Sequence, residues 1–261
     1  MWSHRPSFIV ALLCASRLIH LRDWLLGRIP SRILEEPGLI ASRHAIASGS
    51  NVLDAIYVEP TAQPARASVL ICHGIAEVVT QWAPIQRFFA NAGISSLVFD
   101  YSGYGRSTGR PSWAQCEQDG LSAFQLLRRL APPGPVAILG FSLGTGVASA
   151  IVNRVEADRL VLCAGFSSFR EATHAAGIPR SLSRLVPPVW DAAESLPGCK
   201  LPVLVVHSTG DRLFPVQMAR DLASWCGESA ELLIVDGGGH NKPFYNPDLS
   251  YWGPIIERIS G

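Results

Sequence analysis

The sequence has almost no net charge and contains no sustained run of basic residues. Its 261 residues include 22 lysines and arginines against 21 aspartates and glutamates, which leaves a formal net charge of +1. Because phosphate backbones are bound by clustered Lys and Arg, this balance argues against a nucleic-acid partner. Charged residues make up only 16% of the chain and hydrophobic residues 48%. This composition predicts one large globular domain with a substantial core.

Paired cysteines and metal-ligand spacings are also missing. The six cysteines are scattered, include no Cys-x-x-Cys pair, and mostly fall in apolar runs such as residues 69–72. His73, His207 and His240 lie far apart along the chain, without a His-Glu-x-x-His spacing. We therefore predict reduced core cysteines, no metal site and no cofactor.

No apolar run near the start of the chain is long enough to cross a bilayer. Residues 8–15 are apolar but are bounded by Arg5 and Arg17, and a spanning helix needs about 20 such residues. Apolar side chains continue at helical spacing as far as Ile29, which favours a retained amphipathic helix. Three interpretations of residues 1–30 stay open: a peripheral membrane anchor, a helix packed on the domain, or a cleaved signal peptide. A cytoplasmic or membrane-associated location is favoured.

Short β-rich apolar runs alternate with longer helical segments over the rest of the chain. A hairpin is predicted first, with strands at 44–47 and 52–58 around Gly49-Ser50-Asn51. Further strands are predicted at 68–72, 95–99, 136–139, 160–163, 203–206 and 232–235, and helices at 81–91, 114–130, 143–154, 216–225 and 249–259. This alternation predicts the α/β class, with a mostly parallel sheet covered by helices on both faces. We assign residues 1–43 to an N-terminal anchor-like segment and residues 44–261 to the domain.

The stretch Gly140-Phe141-Ser142-Leu143-Gly144 lies between a predicted strand and a predicted helix. So tight a turn leaves no room for side chains beside Ser142. Gly140 and Gly144 have none and therefore fit there. The pattern is that of a nucleophile elbow, in which a strained turn exposes a serine oxygen above a sheet. It predicts Ser142 as a nucleophile, and the alternative is a Gly/Ser turn without chemistry.

Two further polar residues follow predicted strands at the positions that a serine nucleophile needs. Asp211 follows the strand at 203–206, and His240 follows the strand at 232–235 and a run of glycines. Functional groups collect at the carboxyl ends of parallel strands, and the order Ser, acid, His is that of α/β-hydrolase triads. We predict His240 as the base and Asp211 as the acid that orients it, with Asp236 as the fallback acid.

The segment His73-Gly74-Ile75 follows the strand at 68–72. This is where a chain of this class donates an oxyanion-hole amide, so we predict the N–H groups of Ile75 and Leu143 as the two donors. His73 is expected to hold the turn by a hydrogen bond and to transfer no proton. Asp100, after the strand at 95–99, is expected to accept hydrogen bonds from backbone amides.

Together these motifs resemble the α/β-hydrolase superfamily, and the chain is similar there to the protein-depalmitoylase and serine-aminopeptidase-like small hydrolases. The resemblance covers roughly residues 44–259. It rests on His73-Gly74, residues 100–107, Gly140-Phe141-Ser142-Leu143-Gly144, Gly210-Asp211 with Pro215, and Gly239-His240-Asn241. It implies a metal-free serine hydrolase, in groups that often carry an N-terminal membrane-associated segment.

Residues 165–202 occupy the usual place of a cap over such a site. The segment is short for a cap, and its prolines break any long helix within it. Its larger apolar residues either present a wall to the substrate or only seal the core: Leu182, Leu185, Val186, Val189 and Trp190. An apolar wall favours a small acyl ester or thioester as substrate. The alternatives are a serine peptidase of the aminopeptidase type and a non-catalytic binding protein, whereas dehalogenase or epoxide-hydrolase chemistry would need Asp in place of Ser142.

Overall fold

The computed structural model describes residues 37–183 and 185–261, so the predicted amphipathic helix at residues 1–30 lies outside the described residues. Eight strands form one sheet in the order β1-β2-β4-β3-β5-β6-β7-β8. Their bounds are β1 Leu39–Ser48, β2 Asn51–Pro60, β3 Ala67–Cys72, β4 Ile94–Phe99, β5 Val136–Phe141, β6 Arg159–Cys163, β7 Val203–Ser208 and β8 Ala230–Val235. β2 is antiparallel to β1 and β4, and the remaining neighbours are parallel.

The predicted hairpin is present, but its first strand begins earlier than the sequence indicated. β1 starts at Leu39, so residues 39–43, which we had assigned to the N-terminal segment, belong to the sheet. These residues include the polar pair Ser42-Arg43. An antiparallel edge strand tolerates such residues because it needs only one buried face. The pair Ser48↔Asn51 closes the turn, where Gly49 adopts a φ of 59°.

Helices cover both faces of the sheet, as the alternating pattern predicts. They are α1 Ala83–Asn91, α2 Trp113–Leu130, α3 Leu143–Ile151, α4 Phe169–Ala175, α5 Arg180–Ser183, α6 Ala192–Ser195, α7 Val216–Cys226, α8 Lys242–Tyr245 and α9 Leu249–Ser260. The buried apolar residues form two clusters, one per face. α2, α3 and α7 pack on one face with Leu70 and Ile138, and α1 and α9 pack on the other with Ile71 and Leu139. The predicted α/β-hydrolase architecture is confirmed.

The strand order determines where a site can form. After β3 the chain first adds β4 on one side and then β5 on the other. In open parallel sheets ligands bind at such a reversal point, outside the carboxyl ends of the strands. The turn that follows β5 contains Ser142 and the turn that follows β3 contains His73.

Candidate active site

Ser142 lies between β5 and α3 in a backbone conformation that non-glycine residues rarely adopt. Its φ is 51° and its ψ is −115°. Strain of this kind costs about 1–3 kcal/mol and persists only where the surroundings fix it. Two backbone hydrogen bonds do so: Ser142 N–H donates to Cys163 O at 3.0 Å, and Thr145 N–H donates to Ser142 O at 3.0 Å. The turn therefore holds the Ser142 side chain at the carboxyl end of the sheet.

The two glycines that flank the serine are required by close backbone contacts. A Cβ on Gly140 would lie 2.6 Å from Thr145 Cα, and a Cβ on Gly144 would lie 1.8 Å from the carbonyl oxygen of Cys72. Backbone atoms cannot move aside for a side chain as a flexible side chain can. Both positions therefore exclude every residue with a Cβ, which is the reason the sequence analysis gave for the motif.

His240 lies in the loop after β8, the edge strand of the sheet, and this loop brings its imidazole to Ser142. Gly237 and Gly238 give this loop its course, with φ values of 69° and 72°. The Ser142 hydroxyl donates to His240 Nε2 at 2.8 Å. The ring of Phe214 packs edge-on against the imidazole, with 5.0 Å between ring centroids.

Asp211 accepts the other ring proton of His240. His240 Nδ1–H donates to Asp211 Oδ2 at 2.7 Å. Because a carboxylate only accepts, this contact assigns the proton to Nδ1 and leaves Nε2 as an acceptor for the serine. The second oxygen of Asp211 accepts the amide N–H groups of Leu213 and Phe214 at 2.8 and 2.9 Å. Burial raises the pKa of Asp211, but the hydrogen bonds from His240 and Phe214 outweigh it and hold that pKa below its ordinary value.

Asp236, the fallback acid, lies elsewhere. It is exposed, and its Oδ1 accepts the hydroxyl of Thr209 at 2.9 Å. The structure thus brings Ser142, His240 and Asp211 into one hydrogen-bonded chain and engages Asp236 with a different partner.

His207 is a site residue whose position the sequence analysis missed. It is fully buried on β7, its Nε2–H donates to Phe214 O at 2.9 Å, and Nε2 lies 3.4 Å from Asp211 Oδ2. Burial lowers the pKa of His207, although the Phe214 carbonyl and Asp211 act in the opposite direction. A neutral His207 therefore braces the turn that carries Asp211. Its spacing of four residues before Asp211 was the available signal.

The amides of Ile75 and Leu143, the predicted oxyanion donors, lie at adjacent strand exits. Ile75 follows β3, Leu143 begins α3, and β3 pairs directly with β5. The start of α3 packs against the end of β3, because Gly144 lies against the Cys72 and His73 carbonyls. Leu143 is the first residue of its helix, so its N–H has no acceptor within the helix. Both amides therefore lie at the same end of the sheet as Ser142.

His73 and Asp100 hold backbone turns, as the sequence predicts. His73 Nδ1–H donates to Gly74 O at 2.8 Å, and Asp100 Oδ1 accepts the Val79 N–H at 2.9 Å. His73 Nε2 also lies 3.6 Å from Asp100 Oδ1. Burial raises the pKa of Asp100 to about 7, against the lowering effect of the Val79 amide.

In the predicted cap, the described residues 165–183 and 185–202 contain the short helices α4, α5 and α6. Its large apolar residues are partly buried and partly exposed. Trp190 and Val186 are buried in the core, where Trp190 packs edge-on against Trp113 at 4.8 Å between ring centroids. Leu182 and Leu185 are 54% and 61% exposed. The cap therefore seals the core with one part and leaves the other part on the surface.

An open recess of about 680 Å³ adjoins His240. It is lined by Gly210, Arg212, Leu213, Gly238, Gly239 and His240. The recess leaves the imidazole open to solvent, and Arg212 is the permanently charged residue among those that line it.

Metal sites and membrane-spanning helices are both absent from residues 37–183 and 185–261. Within those ranges no three His, Cys, Asp or Glu side chains are arranged to hold a metal ion. Over the same residues, no helix is long and apolar enough to cross a membrane. The five cysteines in this part of the chain are buried free thiols: Cys72, Cys116, Cys163, Cys199 and Cys226.

Comparison with known proteins places these features in a family context. Residues 63–195 match the model of the family described as serine aminopeptidase, S33. The matched range contains His73 and Ser142 and ends before Asp211 and His240. The acid and the base therefore depend on the geometry described above.

Relatives and solved structures agree with that match. An uncharacterised protein of Mycobacterium tuberculosis is 31% identical over 191 residues, which cover 72% of this chain and 67% of the relative. The lysophosphatidylserine lipase ABHD12 of Danio rerio is 28% identical over 229 residues, covering 78% of this chain and 58% of the lipase. The Pyrococcus furiosus esterase Pf2001 superposes with a TM-score of 0.70 at 18% identity, covering 89% of this chain and 99% of the esterase.

Proposed function

We propose that this chain, which belongs to the serine aminopeptidase S33 family of the α/β-hydrolase superfamily, is a serine hydrolase of carboxylic esters or thioesters. The observation that carries the proposal is the chain of hydrogen bonds from Ser142 through His240 to Asp211. An esterase among its structural neighbours and a lipase among its relatives support an acyl ester as the substrate class. The chain spans 58% of that lipase, and the proposal therefore names a class of substrate and not the lipase's own substrate.

In the first half of the proposed reaction, Ser142 Oγ attacks the acyl carbonyl carbon while His240 Nε2 takes the hydroxyl proton. The negative charge that develops on the carbonyl oxygen is stabilised by the N–H groups of Ile75 and Leu143. Asp211 stabilises the imidazolium that forms. His240 then gives its proton to the leaving alcohol or thiol, and an acyl ester of Ser142 remains.

In the second half, a water molecule replaces the leaving group beside His240. His240 Nε2 takes a proton from the water as its oxygen attacks the acyl carbon, and the same two amides stabilise the second tetrahedral intermediate. The imidazolium returns its proton to Ser142 Oγ when the acyl bond breaks. The acid product and the free enzyme are released, with all protons accounted for.

The recess beside His240 favours an ester over a peptide with a free amino end. An aminopeptidase needs an acidic side chain to bind the substrate's α-ammonium group, whereas Arg212 is charged with the opposite sign and lines this recess. We expect kcat/KM for an acyl ester to exceed that for the matched aminoacyl amide by more than about a hundredfold. A panel that pairs p-nitrophenyl butyrate with aminoacyl p-nitroanilides measures this ratio. A ratio that favours the amides would support the peptidase.

A fluorophosphonate probe tests the proposal directly. The probe forms a covalent bond only with an activated serine, so it is expected to modify Ser142 and no other serine in the folded protein. Tryptic mass spectrometry identifies the modified peptide, and prior incubation with excess acyl ester should slow the labelling. Heat-unfolded protein is the control. Labelling that is absent from the folded protein, or equal in the unfolded protein, would support the non-catalytic binding module.

The activity is expected to fall as the pH is lowered from 8 to 5. The pKa of Asp211 is held below its ordinary value of about 3.9, so this carboxylate stays ionised across the whole range. A loss of rate on acidification is expected because the His240 imidazole must be neutral to accept the proton of Ser142. We expect kcat/KM to fall about tenfold per pH unit at the acid end. A flat profile between pH 5 and 8 would contradict a histidine base.

Residues 1–30 are expected to attach the protein to a membrane surface and to contribute no chemistry. Arginines 17, 22 and 28 alternate with apolar residues there and can reach lipid headgroups. Deleting these residues should leave a soluble, active protein, because the sheet begins at Leu39 and Ile75 is the earliest residue in the proposed site.

Co-sedimentation with vesicles that contain anionic lipid measures this expectation, with turnover assayed on both proteins. The full chain should sediment with vesicles and the truncated chain should not. Equal binding by the two would remove the anchor interpretation. An insoluble or inactive truncated chain would instead make residues 1–30 part of the folded domain.

A further inference from the structure

Glu77 is a buried carboxyl group within the loop that contains the proposed oxyanion donor Ile75. The residue is only 5% exposed. Its Oε2 accepts the Gly74 N–H at 2.7 Å and the Trp82 Nε1–H at 3.1 Å. Its Oε1 lies so close to Gly74 that a Cβ there would be 2.5 Å away. Burial raises the pKa of Glu77 to about 8, while the bonds from Gly74 and Trp82 act to lower it.

The peptide between Gly74 and Ile75 is held by a second contact, on the other side of the Gly74 Cα. His73 Nδ1–H donates to Gly74 O at 2.8 Å. Gly74 O and the Ile75 N–H belong to one planar trans peptide, so they point in opposite directions and rotate together. His73 therefore holds the Gly74–Ile75 peptide, and Glu77 holds the preceding His73–Gly74 peptide. Together the two contacts restrain both torsion angles of Gly74, and with them the direction of the Ile75 N–H. The next residue, Ala76, has a φ of 61°, a strained conformation that the loop must retain.

We propose that Glu77 is a positioning residue of the oxyanion hole: it accepts the Gly74 N–H and thereby holds the Ile75 N–H aimed at the substrate's carbonyl oxygen. This inference rests on the proposed function, which supplies the tetrahedral intermediate that the amide stabilises. A donor of this kind acts without reorganisation only if its direction is fixed before the charge develops. Glu77 does not touch the substrate and acts through the His73–Gly74 peptide and the backbone torsion angles of Gly74.

Two substitutions of similar length separate the acceptor from the bulk of the side chain. Glu77→Met removes the acceptor, and Glu77→Gln retains a carbonyl oxygen. We expect Glu77→Met to lower kcat for p-nitrophenyl butyrate roughly ten- to a hundredfold, with KM changed less than about threefold. The inhibition constant of a butyl trifluoromethyl ketone, which forms a tetrahedral adduct with Ser142, should rise by the same factor. Glu77→Gln should stay within about threefold of the wild type.

Two further variants separate positioning from stability. Trp82→Phe removes the other donor to Glu77 Oε2 and leaves the Gly74 contact in place. It is expected to lower the melting temperature while kcat stays within about threefold of the wild type. Glu77→Asp keeps the carboxyl group but withdraws its oxygens from Gly74. It should reproduce the loss in kcat if Glu77→Met does not fold.

The inference is overturned if Glu77→Met and Glu77→Asp keep the wild-type kcat, if Gln and Met lose kcat equally, or if only KM changes. Fluorophosphonate labelling of the wild-type protein separates this result from a failure of the proposed function. Labelling at Ser142 together with unchanged kcat in every Glu77 variant means that the inference fails and the function stands. Absence of labelling at Ser142 in the wild type means that the function itself fails.

Discussion

Ser142→Ala is expected to lower kcat for p-nitrophenyl butyrate by about a million-fold, the loss typical of a triad that is deprived of its nucleophile. In the proposed reaction this hydroxyl attacks the acyl carbon, and no other hydroxyl lies within hydrogen-bond distance of His240 among the described residues. The oxyanion donors and the binding surface remain, so a small residual rate above the uncatalysed reaction should persist. Steady-state hydrolysis over several hours measures it.

The fold of Ser142→Ala should be preserved. Alanine carries the same backbone strain at φ 51°, and the Cys163 and Thr145 backbone bonds do not involve the side chain. The melting temperature should therefore change by no more than a few degrees, which corresponds to roughly 1 kcal/mol. Substrate binding, measured as protection from proteolysis or as KM, serves as a second control. A folded variant that keeps more than about one-thousandth of the wild-type kcat would show that Ser142 is not the nucleophile.

The local features of this site could be predicted from the sequence because their causes are local. The glycines beside Ser142 are set by the tightness of one turn, and the contacts of Gly140 and Gly144 reproduce that argument. The carboxyl ends of parallel strands lie along one edge of a sheet, so the strand exits indicated where Asp211 and His240 would lie. The structure places both within hydrogen-bond distance of each other.

The residues that the sequence analysis missed depend on contacts made only after folding. Glu77 follows no strand directly and resembles any surface carboxylate until Trp82 and Gly74 enclose it. His207 lies at the end of an apolar strand, where a histidine reads as an ordinary core residue. The acceptor role of Asp100 was expected, but its partner Val79 lies 21 residues away along the chain. The course of the loop after β3 decides that pairing, and the sequence pattern does not specify it.

An asparagine in place of Asp211 can hydrogen-bond with Leu213, Phe214 and His240 in only one orientation of its side-chain amide. We expect Asp211→Asn to lower kcat roughly ten-thousand-fold. The amide N–H groups of Leu213 and Phe214 already point at Oδ1, so the asparagine carbonyl oxygen must take that place. Its NH₂ group then faces His240 Nδ1 and donates to it. The imidazole is forced into the tautomer with its proton on Nε2, which cannot accept the proton of Ser142.

Asp236→Asn is the matched control, since it makes the same chemical change in the acid that the sequence left as the alternative. Asp236 is exposed and accepts the Thr209 hydroxyl, a contact that an asparagine carbonyl oxygen can replace. Its kcat should stay within about threefold of the wild type. Both variants are assayed with p-nitrophenyl butyrate from pH 6 to 10. A tautomer defect in Asp211→Asn should be relieved in part at high pH, because hydroxide can then deprotonate the serine without help from the imidazole. A larger loss in Asp236→Asn than in Asp211→Asn would transfer the role of the acid to Asp236, and equal small losses in both would mean that His240 needs no carboxylate to select its tautomer.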